Sequence, residues 1–166
     1  MTGLRLDAAA TPADLAAVRT LCDAYRAELL AHDPAAPPVV AALYPLPVWT
    51  ALRDALPQGH ALVLLARLDG WPAGCGMAQT LPDGSLELKR LYTRPEARGH
   101  GIAAAMVDRL AEHARATGAP LLRLDTFTTL TAARRLYERL GFTARGPYAP
   151  LPAIAEGRLC FYQRAP

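Results

Sequence analysis

Arg98-Gly99-His100-Gly101-Ile102-Ala103 lies between a β-rich run, Ser85–Thr93, and a long amphipathic pattern that starts at Gly101. A strand that turns through small residues into a helix leaves backbone N–H groups without partners at the positive end of the helix dipole, a geometry that binds phosphates. Gly99 and Gly101 permit backbone angles that other residues resist, and they let a bulky diphosphate approach the main chain beside the Arg98 guanidinium. The same glycines also suit an ordinary structural turn, and the stretch alone does not choose between the two. No Gly-Lys-Ser/Thr follows, so this is not a nucleotide P-loop.

Upstream of the turn, Asp69-Gly70 and Pro82-Asp83-Gly84 are tight turns that separate three strand-like runs, His60–Leu68, Trp71–Thr80 and Ser85–Thr93. Pro72, Gly74 and Gly76 predict a bulge or a close contact in the middle strand. Alternation places Glu87, Lys89 and Leu91 on one face of the third strand and Leu86, Leu88 and Arg90 on the other. Nearer the start, Gly3–Asp7 alternates as a short strand, and Thr11-Pro12-Ala13-Asp14 opens a helix that buries Leu15, Val18, Leu21, Tyr25 and Leu29 as far as Ala31. The prolines of Asp33–Pro47 predict extended and turned backbone, followed by a short helix over Val48–Leu56. This segment is either a specificity loop or a surface connection packed by Tyr44 and Trp49.

Downstream of the turn, Ile102, Met106, Leu110 and Ala114 form a helical stripe that Gly118 and Pro120 end. A strand–helix–strand crossover returns in the same direction, so Leu121–Thr126 is expected to run parallel to Ser85–Thr93. A helix over Thr131–Leu140 with Gly141 as its cap follows, then strands over Phe142–Tyr148 and Arg158–Gln163.

Two of these stretches together resemble the GNAT superfamily of acyl-CoA-dependent N-acyltransferases. Arg98, Gly101 and Ala103 match that family's Gln/Arg-x-x-Gly-x-Gly/Ala motif, and Ala133, Tyr137, Gly141 and Phe142 match its Ala-x-x-x-Tyr-x-x-x-Gly-Phe/Tyr motif. The resemblance covers residues 60–145 and extends to a single N-acetyltransferase domain over 1–166. It implies an α+β fold with a mixed, mostly antiparallel sheet of seven strands, a parallel pair splayed at its middle, and helices on both faces. The implied co-substrate is acetyl-CoA and the implied partner an amine. The main chain at Leu91, Tyr92 and Thr93 would hold the pantetheine arm, because a parted strand pair exposes groups that two ligand amides can satisfy. The amides of Arg98, Gly99, His100, Gly101, Ile102 and Ala103 would hold the diphosphate.

By the same resemblance the Tyr137 phenol reaches the thioester sulfur as the thiolate leaves; the other reading is a core tyrosine on an amphipathic helix. A free alkylamine has a pKa near ~10, so the acceptor must lose a proton, and Glu87 is the candidate base, directly or through water. Its alternative is a solvated strand charge paired with Lys89 or Arg90. A backbone N–H near Tyr92 would meet the oxyanion. One position departs from the family: Leu130 stands where many members carry Asn. A flanking threonine, Thr129 or Thr131, either replaces that contact or, at Thr131, caps the helix.

The chain has 166 residues, enough to bury a core without disulfides or metal. Net charge is +3, but Lys89 is the only lysine and the arginines are scattered, so no basic stripe marks a nucleic-acid partner. Cys22, Cys75 and Cys160 are far apart and odd in number, and no basic segment with an apolar core opens the chain, which points to reduced thiols in the cytoplasm. The longest apolar run, Ala61–Ala66, is too short to cross a bilayer. His32, His60, His100 and His113 lack metal-ligand spacing. Cys75 has no histidine tied to it by a local pattern and is expected as a buried thiol. Acceptor specificity is expected in the N-terminal helices, Asp33–Pro47 and the Tyr148–Gly157 connection, which is placed to close over the acceptor or to join a homodimer interface. The rival to catalysis is a non-catalytic acyl-CoA sensor or interaction module that keeps the same pocket.

Overall fold

The two tight turns fold strands β2 (Leu62–Leu68), β3 (Trp71–Thr80) and β4 (Leu86–Thr93) into an antiparallel meander, and the rest of the sheet grows from its two edges. β1 (Leu4–Ala8) adds antiparallel to β2 on one edge. On the other, β5 (Leu122–Phe127) lies parallel to β4, followed by β7 (Leu159–Arg164) and β6 (Thr143–Arg145), which gives the order β1-β2-β3-β4-β5-β7-β6. The computed structural model describes residues 3–166; Met1 and Thr2, which the 1–166 domain reading includes, lie outside the described residues.

Helix α1 (Pro12–Ala31) starts where the sequence places it, through a reciprocal cap: Asp14 N–H donates to Thr11 Oγ1 at 3.1 Å and Thr11 N–H donates to Asp14 Oδ2 at 3.2 Å. The Arg67 guanidinium beside Asp14 holds its carboxyl well below the usual carboxylate range. Two further helices, α2 (Ala36–Leu43) and α3 (Leu46–Asp54), complete this layer. The first corrects the reading of Asp33–Pro47 as extended and turned. Pro37 and Pro38 fall in the first turn of α2, where a helix needs no N–H, so they start a helix instead of forbidding one. Pro47 sits in the first turn of α3 for the same reason, and α3 begins at Leu46 rather than Val48.

Helix α4 (Ile102–Thr117) covers the opposite face, bracketed by Gly101 and Gly118, both left-handed. Strand alternation sorts the core between the two layers. Leu64, Ala66, Leu86 and Leu88 join Met106 and Leu110 on the α4 side, whereas Val63, Leu65, Cys75 and Met77 join Val18, Leu21 and Trp49 on the α1 and α3 side. Helix α5 (Thr131–Arg139) ends before a left-handed Gly141, with Phe142 folded back on Tyr137. Its cap position is Leu130 and no side chain caps it, so Thr131 is the first helical residue and not the cap. β6 is shorter than expected, three residues instead of Phe142–Tyr148, because Pro147 has no N–H to continue the ladder.

Alternation fails at two places. Between Ala66↔Gly74 and Arg67↔Pro72 one step on β2 opposes two on β3, the bulge expected in the middle strand. The second lies between β3 and β4. From Met77↔Lys89 to Cys75↔Tyr92 two steps on β3 oppose three on β4, and Arg90 takes a φ of 50° to fit the extra residue. The bulge exchanges the expected faces of Arg90 and Leu91. Arg90 turns to the α1 and α3 side, its guanidinium 4.9 Å from the Trp49 ring centre and donating to His60 Nε2 at 3.2 Å, while Leu91 packs on the α4 side. Gly74, paired with Thr93 just past the bulge, admits the close approach: a Cβ there would stand 2.7 Å from the Tyr92 carbonyl oxygen. Gly74→Ala is therefore expected to destabilise the fold by about 1–3 kcal/mol in urea unfolding, since overpacking against backbone cannot relax by rotamer change.

Candidate active site

β4 and β5 pair by their main chains only at Leu86↔Leu122 and Glu87↔Arg123, and then part. A cavity of about 700 Å³ opens beyond that point, walled by Leu91, Tyr92 and Thr93 of β4, by residues 129–133, 136 and 137 around α5, and by Tyr25, Glu28 and Leu29 of α1. Its mouth is the start of α4. The first intrahelical bond there is Ala105 N–H to Gly101 O at 3.0 Å, so the N–H groups of Ile102, Ala103 and Ala104 precede the ladder and are free to meet an anion. Gly101, at φ 74°, makes the turn that aims them.

Of the predicted diphosphate-binding residues, Arg98, Gly99, Gly101, Ile102 and Ala103 line this cavity. His100 does not; its Nδ1 is 3.1 Å from Ala97 O and 3.2 Å from Arg98 O, so the ring is turned back on its own loop. Arg98 donates through Nε to Thr93 O at 3.2 Å, and its outer nitrogen pairs with Glu28 of α1. Thr129 and Thr131 both line the cavity beside Leu130, and the Thr129 hydroxyl meets His32 Nε2 at 2.9 Å.

Tyr137 is buried in the cavity wall, packed edge-on against Phe142 at 5.9 Å between ring centres. Burial pushes its phenol well above the usual range, and the Asp125 charge adds to the shift. Its hydroxyl has no protein hydrogen-bond partner among the described residues, so it is a protonated donor available to a ligand.

Glu87 is not a solvated charge. It is buried on the α1 side, and its Oε1 accepts from Lys89 Nζ at 3.0 Å and from Tyr148 Oη at 3.0 Å. Lys89 Nζ also donates to Tyr44 Oη at 2.9 Å and faces Asp125 Oδ2 of β5 at 3.9 Å. Burial opposes the ammonium, yet Tyr44, Asp125 and Glu87 together outweigh it and hold Lys89 protonated above its ordinary range. Burial pushes the Asp125 carboxyl up; Lys89 pulls it back and Glu87 adds to the rise. Sequence reasoning missed Asp125, Tyr44 and Tyr148 as parts of one group. The available signal was an acid within the strand-like run Leu122–Phe127, two residues beyond Arg123.

A sequence model of the acetyltransferase (GNAT) family matches residues 21–142. The chain belongs to that family. An N-acetyltransferase of Schizosaccharomyces pombe is 36% identical over 104 residues, 60% of this chain and 64% of that protein. An IAA acetyltransferase of Azospirillum brasilense is 36% identical over 88 residues, 52% of this chain and 58% of that protein. The match thus spans about three fifths of the length of these relatives. Among solved structures, one of a Klebsiella pneumoniae protein assigned as an acyl-CoA N-acyltransferase is 25% identical, with a TM-score of 0.67 over 99% of this chain and 97% of that one. A Salmonella typhimurium structure, solved with acetyl-CoA, shares the GNAT fold at 22% identity, with a TM-score of 0.65 over 98% of this chain and 93% of that one. The mixed seven-stranded sheet with one parallel pair is the fold of this family.

Among the described residues no cluster of His, Cys, Asp or Glu could hold a metal ion, and no helix is long and apolar enough to cross a membrane. The site makes a prediction free of any acceptor. An unperturbed phenol is about 90% ionised at pH 11, one unit above its pKa near ~10. Burial raises Tyr25, Tyr137 and Tyr148 well above that, so at least three of the six tyrosines should remain protonated at pH 11 in a spectrophotometric titration of the folded protein.

Proposed function

We propose that this chain is an acetyl-CoA-dependent N-acetyltransferase that acetylates the primary amine of a small molecule or peptide by direct attack within a ternary complex. The observation that carries this reading is one cavity with free helix-start N–H groups on one wall and a buried, protonated phenol on another, located where two parallel strands stop pairing. The donor set fits acetyl-CoA: amides and Arg98 for a diphosphate, and unpaired strand edges for an arm that carries two amides. When bound, acetyl-CoA supplies an activated acyl carbon and a thiol leaving group.

The residues then divide the remaining work. Gly101–Ala104 grip the diphosphate, and Leu91–Thr93 hold the arm. Arg98, tied to Glu28 in this structure, exchanges that surface carboxylate for the ligand's phosphate. A backbone N–H near Tyr92 meets the carbonyl oxygen as negative charge develops on it. Glu87 takes the amine proton, directly or through water; both of its protein bonds fall on Oε1, so Oε2 is left for this task. As the N–C bond forms and the C–S bond breaks, Tyr137 donates to the departing sulfur. The thiols of Cys22, Cys75 and Cys160 are all free, which fits a reducing cytoplasm.

Thiol release from acetyl-CoA, measured with a panel of polyamines, amino acids, aminoglycosides and peptide N-termini, tests the reading. Turnover on an amine is expected, whereas tight acetyl-CoA binding without turnover on any of them would favour a sensor. Tyr137→Phe should lower kcat by about 10²–10⁴, the usual range of one acid–base contribution, with acetyl-CoA affinity nearly unchanged. Activity equal to the parent would remove Tyr137 from the mechanism. Gly101→Val should weaken acetyl-CoA binding, because the side chain would enter the cavity mouth, and also cost about 1 kcal/mol or more of stability from a left-handed β-branched residue. Unaltered affinity in calorimetry would misplace the diphosphate.

A further inference from the structure

The seam between β4 and β5 opens in three steps. Main-chain pairing holds as far as Glu87↔Arg123. Two residues further along each strand stand Lys89 and Asp125, with no backbone pairing but with Lys89 Nζ 3.9 Å from Asp125 Oδ2. Beyond them, from Leu91 on one side and Thr129 on the other, the walls belong to the cavity. The last link across the seam before it opens is thus an ion pair between side chains, at the apex of the V.

Lys89 also bonds Glu87 and Tyr44, and Glu87 accepts from Tyr148. One ammonium therefore ties the end of α2, both parting strands and the connection between β6 and β7 into a single group. The side chains of Lys89, Glu87 and Asp125 are 16%, 11% and 27% exposed, so their charges act in a poorly hydrated place. Two carboxylates there without a cation between them would repel across the seam, and an uncompensated buried charge is costly.

We infer that Lys89, the sole lysine of the chain, is a positioning residue: its ammonium clasps Glu87 of β4 to Asp125 of β5 and sets the width of the seam that receives the thioester arm. The inference rests on the proposed acyl-CoA site but says something that site does not require. The clasp stands at the apex of the seam and the nucleotide grip at the start of α4, so changes at the clasp separate the two halves of the ligand.

Calorimetric titration at pH 8 with acetyl-CoA, and separately with 3′,5′-ADP as a probe of the nucleotide end alone, tests it on the full chain. Lys89→Met should lose about tenfold or more in acetyl-CoA affinity, the scale on which an uncompensated buried charge acts, while 3′,5′-ADP binds as to the parent. Lys89→Arg, which keeps the cation, should recover most of the loss. Asp125→Asn, nearly isosteric, should weaken acetyl-CoA alone, and the double variant Lys89→Met/Asp125→Asn should be no weaker than Lys89→Met, since both remove the same link. Parental acetyl-CoA affinity in Lys89→Met, equal loss of both ligands, or simple addition of the two single effects would overturn the clasp. Should Lys89→Met fail to fold, Asp125→Asn decides: undiminished acetyl-CoA binding overturns it. A folded parent that binds neither ligand defeats the acyltransfer reading itself, a result distinct from any of these.

Discussion

The loss of main-chain pairing between β4 and β5 after Glu87↔Arg123 is the constraint on which the rest of the site depends. Buried backbone groups need partners, and a sheet that opens in its middle must find them elsewhere. Here the opening is a cavity walled in part by α1 and α5, and the Lys89–Asp125 ion pair stands between the last main-chain pairing and the residues that line it. A ligand that carries its own amides restores what the strands give up. The parallel sense of the pair matters too, because the α4 crossover that it requires delivers a helix start to the mouth of the opening.

The bulge in β4 works with this opening. One extra residue at Arg90 rotates the strand, so that Leu91 packs toward α4 and Tyr92 toward α1 just where the cavity begins. Arg90 itself is buried against Trp49 and His60, with no carboxylate partner among the described residues. Gly74 and Gly76 on β3 make room, since a Cβ at either would come within 3 Å of Tyr92 or Leu91. The glycines that weaken β3 in isolation are thus what allow β4 to bend.

The polar group on the α1 side has a different logic from the phosphate grip. The grip uses backbone N–H groups, which are neutral donors with no charge of their own to desolvate and which keep their direction. The group around Lys89 uses side-chain charges brought from four elements, each held by the next. Tyr44 and Tyr148 come from Asp33–Pro47 and Tyr148–Gly157, two of the segments expected to carry acceptor specificity, and their phenols meet at the Glu87–Lys89 pair.

Order and direction of the elements, the left-handed turns at Gly101, Gly118 and Gly141, and the free helix start at α4 were legible in the sequence. These are local properties: apolar spacing, proline and glycine angles and capping residues act within a few positions of themselves. Even the misread prolines of α2 are local, and fail only because proline suits a helix's first turn as well as a loop. A bulge and a close contact in β3 were expected from Pro72, Gly74 and Gly76 and are present. What sequence alone did not disclose was the extra residue of β4 at Arg90, the enclosure of Glu87, and the meeting of Lys89 with Asp125, Tyr44 and Tyr148. Those were decided by tertiary structure, because the electrostatics of each group depend on partners remote in the chain, and only packing determines which charges share a poorly hydrated space.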